Sequence, residues 1–482
     1  MKSLAEKVFS FNALEKEIYN IACEYGCKLL SGILETMDDD IAKTRDRSQY
    51  RHKGKRTNTI KTLMGEVTYD RTLYETKIET GEKVFVYLLD SELKVDTCGK
   101  ISSNLAARIV ECVSVSSYRQ AAKDVSSMTG QSISHGGTWN VVQTIGKRFE
   151  EIEINNAVLA RQNEGKGIKE TKILFQEADG VWISMQGKDR GKISRKRELK
   201  MAVAYDGWEE QSKDRYTLRN KVMVSGFVSP RKFQEKMEGV VAATFNTDEI
   251  NIRILNGDGA SWIKSALMDK NVHFQLDPFH KFKEITKKVK DKGQRTIVHD
   301  LLKERKIDNL INYLKAIAGI EEDEKERKKL FEIYTYFKNN RDGLVPYQER
   351  GLKIPTPPKG VSYRNLGTME HHVCDAAAKR MKHQKGSWSI SGATNMSKIL
   401  CIKATSSVYE KISQLATTTL PERYTEKVEE VLSAAKAPDK VGKNYRYPVN
   451  GGTPFKDSFV TNGRKAIQDL VSIRTYTDLV YK

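Results

Sequence analysis

At 482 residues the chain exceeds one ordinary domain, and about two to four fit its length. Hydrophobic content of 39% beside 30% charged residues suits a soluble globular protein with a real core. No run of about 18 apolar residues occurs, which excludes a membrane-spanning helix. The net charge of +19 predicts a polyanionic partner, most simply nucleic acid, although ribosome-associated and membrane-surface proteins share such a balance.

The first residues (MKSLAEKVFSFNALEKEIYN) scatter charges through their apolar positions, unlike a secretory leader. Six cysteines without framework spacing fit a reducing cytosol, and Cys23 and Cys27, one helical turn apart, are read as packing. Residues 3–38 predict an amphipathic helix with Leu14, Ile18, Ile21, Tyr25 and Leu29 on one face. A basic stretch follows (RDRSQYRHKGKR), read either as a solvated loop or as a phosphate-contacting arm through Arg45, Arg47, Arg51, Lys53, Lys55 and Arg56. Thr59–Glu75 predicts two strands around Gly65, with Val67, Tyr69 and Leu73 alternating, and Val84–Leu89 a third. These elements form an α+β unit over residues 1–95.

From Ile101 the pattern is helical. Two short helices flank a turn at Thr129-Gly130-Gln131, and a serine stands before the second. That layout is a helix-turn-helix over residues 96–165, or else a plain helical bundle. In the first reading Arg119 contacts phosphate, and the second helix offers His135, Thr138, Asn140 and Gln143 to a groove.

A polar, glycine-containing boundary leads to ILFQEAD, a strand ending in a carboxylate. Asp179-Gly180 then reads as a hairpin turn into VWISM, with MAVAY as a third strand. A less regular stretch precedes the strand ending at Asp258, then a helix from Ser261, a strand Val272–Leu276 and a helix from Phe279. Three antiparallel strands and then alternating helix and strand is the order of a ribonuclease H-like α/β core, here residues 166–283. That fold places its first acid on the first strand, its second after the fourth, and its third on a later helix. Asp179 and Asp258 stand in the first two places. The charge-rich helical block that follows is read as an all-helical insertion over 284–365. Glu370, at a helix start in residues 366–410, supplies the third acid. A basic tail covers 411–482, with a helix expected at Glu426–Ala435.

Three such carboxylates suit a hard divalent cation, Mg2+ with Mn2+ as substitute. Two ions about 3.5–4 Å apart activate an attacking oxygen and stabilise the leaving one. Each acid also has a bland reading: Asp-Gly is a common turn, and Glu370 complements a helix dipole. Asp206 and Glu177 are rival ligands; Asp206 ends its strand away from the active edge, and Glu177 lies farther from the turn than Asp179. His371, His372, Cys374 and His383 lack the spacing of a zinc site. His280 is read as a neighbour rather than a ligand, because Mg2+ prefers oxygen.

Several stretches together resemble bacterial insertion-sequence transposases related to the Mutator-type DDE transposases: GEVTYDRTLYE, SYRQAAKDVSSMTGQSIS, EADGVWI, AVAYDGW, LNGDGASWI with LDPFHKFKEI, NNRDGL, and GTMEHHVCDAAAKRMKHQKGSWSISGATNMSKIL. The resemblance implies a ribonuclease H-like core with Asp179, Asp258 and Glu370 as a Mg2+-binding trio. Asp277 and His280 match that family's Cys/Asp-x-x-His segment near the active site. It also implies cleavage and joining of double-stranded DNA at terminal inverted repeats and target DNA, by a homo-oligomer in the bacterial cytoplasm at the nucleoid. Two other classes stay open on sequence: a non-catalytic DNA-binding protein, and a metal-dependent nuclease that never joins ends.

Overall fold

A computed structural model describes residues 10–416 apart from 95–97, 130, 192–193, 268–270 and 385. The basic tail beyond residue 416, with its expected helix, lies outside the described residues. Helix α1 (Phe11–Thr44) is capped by Ser10, whose hydroxyl accepts from the Ala13 N–H at 3.2 Å. Its stripe of Leu14, Ile18, Ile21 and Tyr25 is exposed rather than packed, and the buried part lies farther on, at Leu34, Met37 and Ile41. There Asp38 accepts from the backbone and hydroxyl of Thr72, at 3.0 and 2.7 Å, tying α1 to a small antiparallel sheet. That sheet is β1 (Arg51–Lys61), β2 (Glu66–Lys77) and β3 (Lys83–Val86), followed by α2 (Leu88–Leu93). The basic segment is therefore partly a strand, since β1 starts at Arg51. The third strand stops short of Leu89, which belongs to α2.

Helices α3 (Ser103–Val115), α4 (Tyr118–Thr129) and α5 (His135–Arg161) follow. Ser134 caps α5 through the Gly137 N–H at 3.0 Å, as its position in sequence predicts. The second helix is not short: α5 has 27 residues and buries Val141, Val142, Ile145 and Phe149. Those side chains share one hydrophobic cluster with the main sheet, so the helices expected as a separate unit are part of its core.

The main sheet comprises β4 (Ile173–Ser184), β5 (Lys196–Tyr205), β8 (Val222–Gly226), β9 (Ile252–Gly257) and β10 (Val272–Leu276). Between them lie the hairpin β6 (Trp208–Ser212) and β7 (Arg215–Leu218), helix α6 (Pro230–Thr244) and helix α7 (Ser261–Leu267). The strand order is β10-β9-β4-β5-β8; β9 runs parallel to β4 and to β10, whereas β5 is antiparallel to both neighbours. Two sequence readings are corrected here. Asp179-Gly180 is no turn, because β4 continues through it, with Asp179 opposite Met201 and Gly180 opposite Lys200 in an unbroken ladder. The third strand of the sheet is β8, not Met201–Tyr205, and it falls with α6 in the stretch read as irregular. Alternate side chains of β4 serve two cores: Phe175, Val181 and Ile183 face one, Leu174 and Ala178 the other. A strand covered on both faces shows no clean alternation of polar and apolar residues, so its length is hard to read.

Helix α8 (Pro278–Lys288) starts where a helix from Phe279 is expected, and α9 (Lys292–Lys303), α10 (Ile307–Ile320) and α11 (Glu324–Asn339) follow it in the charge-rich stretch; all four share the second core. After short turns and β11 (Val361–Ser362), which pairs with β6, comes α12 (Met369–Val373). The chain widens into a π-helix over Cys374–Lys382, then forms α13 (Ile390–Thr405) and α14 (Val408–Ala416). No helix among the described residues is long and apolar enough to cross a membrane.

One ionic cluster clamps α5, α6 and α13 together. Lys398 on α13 is fully buried and meets Glu150 at 3.1 Å, Glu153, and the carbonyl of Ser225 on β8. Lys236 on α6 shares both acids. Burial works against the charge on Lys398, but Glu153 and Glu150 outweigh it and raise its pKa. Removing one partner from such a cluster leaves buried charge uncompensated. Lys398→Met is accordingly expected to lower unfolding stability by about 3–5 kcal/mol, measured by denaturant titration.

Candidate metal centre

Asp179 sits on the central strand, buried, with its Oδ1 accepting from the Gly180 N–H at 2.7 Å. The strand to its side, β9, ends at Gly257, and Asp258 follows immediately. Gly259 has φ +85°, and a side chain there would run into Asn340 at 2.6 Å, so the tight path around Asp258 requires glycine. Asp258 closes its own turn, accepting from the Ala260 N–H at 2.8 Å. The insertion braces this loop from outside: the Tyr336 hydroxyl donates to the Asp258 carbonyl at 2.7 Å, and Lys264 of α7 donates to the Asn339 carbonyl at 2.8 Å.

Asp277 begins the next element. It caps α8, with Pro278 at the first helical position, and accepts from the His280 N–H at 3.0 Å. The same Oδ2 lies 3.0 Å from His280 Nδ1, which leaves Nε2 as the nitrogen available to a ligand. Glu370 arrives from the far side of the insertion, exposed, in the first turn of α12.

Ligand atoms of Asp179, Glu370 and His280 lie within 4.8 Å of one another. This is the one such cluster among the described residues. It differs from the trio expected on sequence, since His280 is within ligand reach while the Asp258 carboxylate is turned onto its own loop. Asp258 is nonetheless a close electrostatic neighbour. Burial pushes Asp179 up to about 6, and Asp258 and Glu370 push the same way, against His280 and the Gly180 N–H. Burial also opposes the charge on His280, but Asp277, Asp179 and Asp258 raise it on balance. Asp277 would be raised by burial, yet bonds from the His280 ring, its N–H and Asn256 hold it below the ordinary range. A buried acid made hard to ionise by neighbouring acids is what a divalent cation would relieve. Asp179 and Glu370 could offer hard oxygens to Mg2+, and the imidazole would suit Mn2+ better.

The rival acids have other work. Asp206 lies at the opposite end of the sheet with Asn220 at 3.0 Å and Arg219 at 3.6 Å. Glu177, two residues before Asp179, is wholly buried and its oxygens are taken up by hydrogen bonds. His371, His372, Cys374 and His383 do not come together as a ligand set; His372 is buried, which lowers its pKa to about 4.

The candidate DNA contacts divide by exposure. Arg47, Arg51, Arg56, Arg119, His135 and Asn140 are exposed. Others are turned inward or engaged. Arg45 donates to the Tyr50 carbonyl at 3.1 Å and stacks on Tyr74, while Lys53 and Lys55 pair with Glu75 and Asp39 at 2.6 and 2.7 Å. Thr138 is completely buried and bonded to the His135 and Tyr118 carbonyls, and Gln143 accepts from Asn395 of α13 at 2.7 Å. Neither of these two faces a groove, because α5 is packed into the core on that side.

The profile of the uncharacterised protein family UPF0236 matches residues 4–413. The chain belongs to this family. Among its relatives is the UPF0236 protein in vanSb 3'region of Streptococcus gallolyticus, 24% identical over 399 residues and covering 80% of each chain. A UPF0236 protein of Caldanaerobacter subterraneus subsp. tengcongensis is 23% identical over 402 residues, covering 82% of this chain and 78% of the relative. Another from that organism, 22% identical over 408 residues, bears a name that joins eleven loci. For this UPF0236 member, the ionisation of Asp179 yields a test. An acid raised from 3.8 to about 6 favours the fold fully below 3.8 and loses that contribution as pH rises through about 6. The raised His280 acts in the same direction. Added Mg2+ or Mn2+ should therefore raise the melting temperature more at pH 8 than at pH 5, and Asp179→Asn should abolish that difference in a thermal-shift titration.

Proposed function

We propose that this protein is a DDE-type DNA transposase, built on a ribonuclease H-like core with a helical insertion. The observation that carries the reading is the convergence of Asp179 and Glu370, 191 positions apart, at one edge of a sheet where Asp258 follows directly on the neighbouring parallel strand. The order β8-β5-β4-β9-β10, with the second strand in sequence antiparallel to its neighbours, agrees with that core, and α6 falls between its third and fourth strands. The motif resemblance supports the same reading. So does the relative whose name joins eleven loci of one organism, since a self-copying element multiplies its gene.

Divalent cations, when bound, supply Lewis-acid activation of an attacking oxygen and stabilisation of the leaving one. The chain's own part is to hold the ligands and the DNA. Asp179 offers its carboxylate from the rigid centre of the sheet. Glu370 approaches on α12, and Asp277 fixes the ring of His280. Arg47, exposed just before β1, and Arg51 and Arg56, exposed on β1, offer phosphate contacts, and Arg119 offers another at the start of α4. Attack by water gives strand cleavage, and attack by a DNA 3′-hydroxyl gives strand transfer at the same site.

Asp179→Asn and Glu370→Gln are each expected to lower Mg2+-dependent nicking of an element end by at least about a hundredfold, while binding of that end changes less than about threefold. The assay is end cleavage beside a gel-shift titration; wild-type nicking in Asp179→Asn would remove the metal centre. Nicking without joining would favour the nuclease reading, and binding without either the binding-module reading. Matching inverted repeats on either side of the gene provide an independent check. Binding should weaken steeply with salt, and Arg51→Ala with Arg56→Ala should flatten the log–log slope by about 2, near 0.9 for each phosphate that is no longer neutralised.

A further inference from the structure

Glu177 is a fully buried carboxylate whose hydrogen bonds all come from the parts of the metal centre and its support. Its Oε1 accepts from the Tyr205 hydroxyl at 2.5 Å and the Thr368 hydroxyl at 2.7 Å. Its Oε2 accepts from Asn256 Nδ2 at 2.9 Å and from the N–H groups of Gly367 and Thr368 at 3.0 and 2.9 Å. Gly367 has φ +125°, a conformation that turns consecutive N–H groups toward one acceptor and that other residues rarely adopt. Glu370 lies two residues beyond Thr368. The short helix α12 begins here, and these bonds fasten its start to β4 beside the apolar packing of Met369 and Val373.

The hub reaches the other side of the site as well. Asn256 donates through the same amide nitrogen to Asp277 at 2.9 Å, and Asp277 holds His280. An unbroken run of bonds thus links Thr368, Glu177, Asn256, Asp277 and His280. Both residues that share ligand distance with Asp179 hang from it. We infer that Glu177 is the positioning residue of the metal centre, setting the approach of the Glu370 helix and, through Asn256, the His280 ring. The inference rests on the metal-centre reading of Asp179, Glu370 and His280.

The test is Mn2+ binding to the full chain without DNA, followed by electron paramagnetic resonance, beside a thermal melt. Glu177→Ala is expected to weaken Mn2+ about 10- to 100-fold, the usual loss when groups orienting a ligand are removed. Glu177→Gln keeps one acceptor for the N–H groups and should fall between wild type and Glu177→Ala. Thr368→Val, which deletes a single bond, should shift affinity in the same direction by a few fold. A role confined to stability would lower the melting temperature and leave the dissociation constant unmoved. Wild-type Mn2+ affinity in folded Glu177→Ala would overturn the inference; if that variant does not fold, wild-type affinity in both Glu177→Gln and Thr368→Val overturns it. Asp179→Asn separates the two levels: undiminished Mn2+ binding there removes the metal centre itself, whereas its loss beside normal binding in the Glu177 variants removes only the positioning role.

Discussion

Acidic side chains gathered at one sheet edge repel one another, and burial of Asp179 makes that repulsion stronger than it would be in water. A free chain would separate them, so the cluster exists only because each acid is fixed by structure that cannot relax. Asp179 is held by the ladder to β5, opposite Met201, one residue beyond the last pair of β4 with β9. Asp258 is held by a glycine turn and by the hydroxyl of Tyr336. Glu370 follows the backbone pinned at Gly367 and Thr368. Burial opposes the charge on His280, but Asp277, Asp179 and Asp258 favour it, so the imidazole offsets part of that repulsion.

This requirement gives the helical block α8–α11 a role beyond bulk. Its α11 touches the Asp258 loop at the carbonyl, leaving the carboxylate outside the contact. Asn340 at the end of α11 packs where any side chain on Gly259 would sit. The insertion also shares its apolar core with the face of the sheet under α6 and α7, so shifts in α11 are resisted by Ile333 and Phe337. The opposite face carries α5 and α13, locked by Lys398 between Glu150 and Glu153. A site assembled from distant segments of the chain is thereby held from both sides of one sheet.

Much of this was legible from residue patterns, and the misses have identifiable causes. The strand just before Asp258, the strand Val272–Leu276, a helix after Asp277-Pro278, the charge-rich helical block and the helix-start Glu370 all follow from local chemistry. The Asp179-Gly180 pair misleads because its turn preference is local, whereas the ladder to β5 is not. Once that pair is read as a turn, the strand count is satisfied too early, and β8 with α6 is passed over. Thr138 and Gln143 look available on a helix surface because their partners come from other helices: Thr138 donates to the Tyr118 carbonyl of α4, and Gln143 meets Asn395 of α13, 252 positions away. Arg45, Lys53 and Lys55 likewise belong to a basic run in sequence but meet their partners only in space.

The role of His280 shows how a short spacing acquires meaning through geometry. A preference of Mg2+ for oxygen argues against histidine as a ligand, and spacing alone offers no counterargument. The fold adds two facts. An N-capping acid three residues ahead accepts from the backbone N–H of the third helical residue, so Asp277 and His280 are neighbours by helix construction. Because β10 ends beside β9 and β9 beside β4, that helix start stands at the edge where Asp179 lies. An aspartate, proline, any residue and histidine at the end of a buried strand is therefore a way to present an oriented imidazole to a carboxylate two strands away. Glu177, two residues before Asp179 on the same strand, adds to this order: its oxygens are taken up by Tyr205, Asn256, Gly367 and Thr368, which join β4 to β9 and to the start of α12.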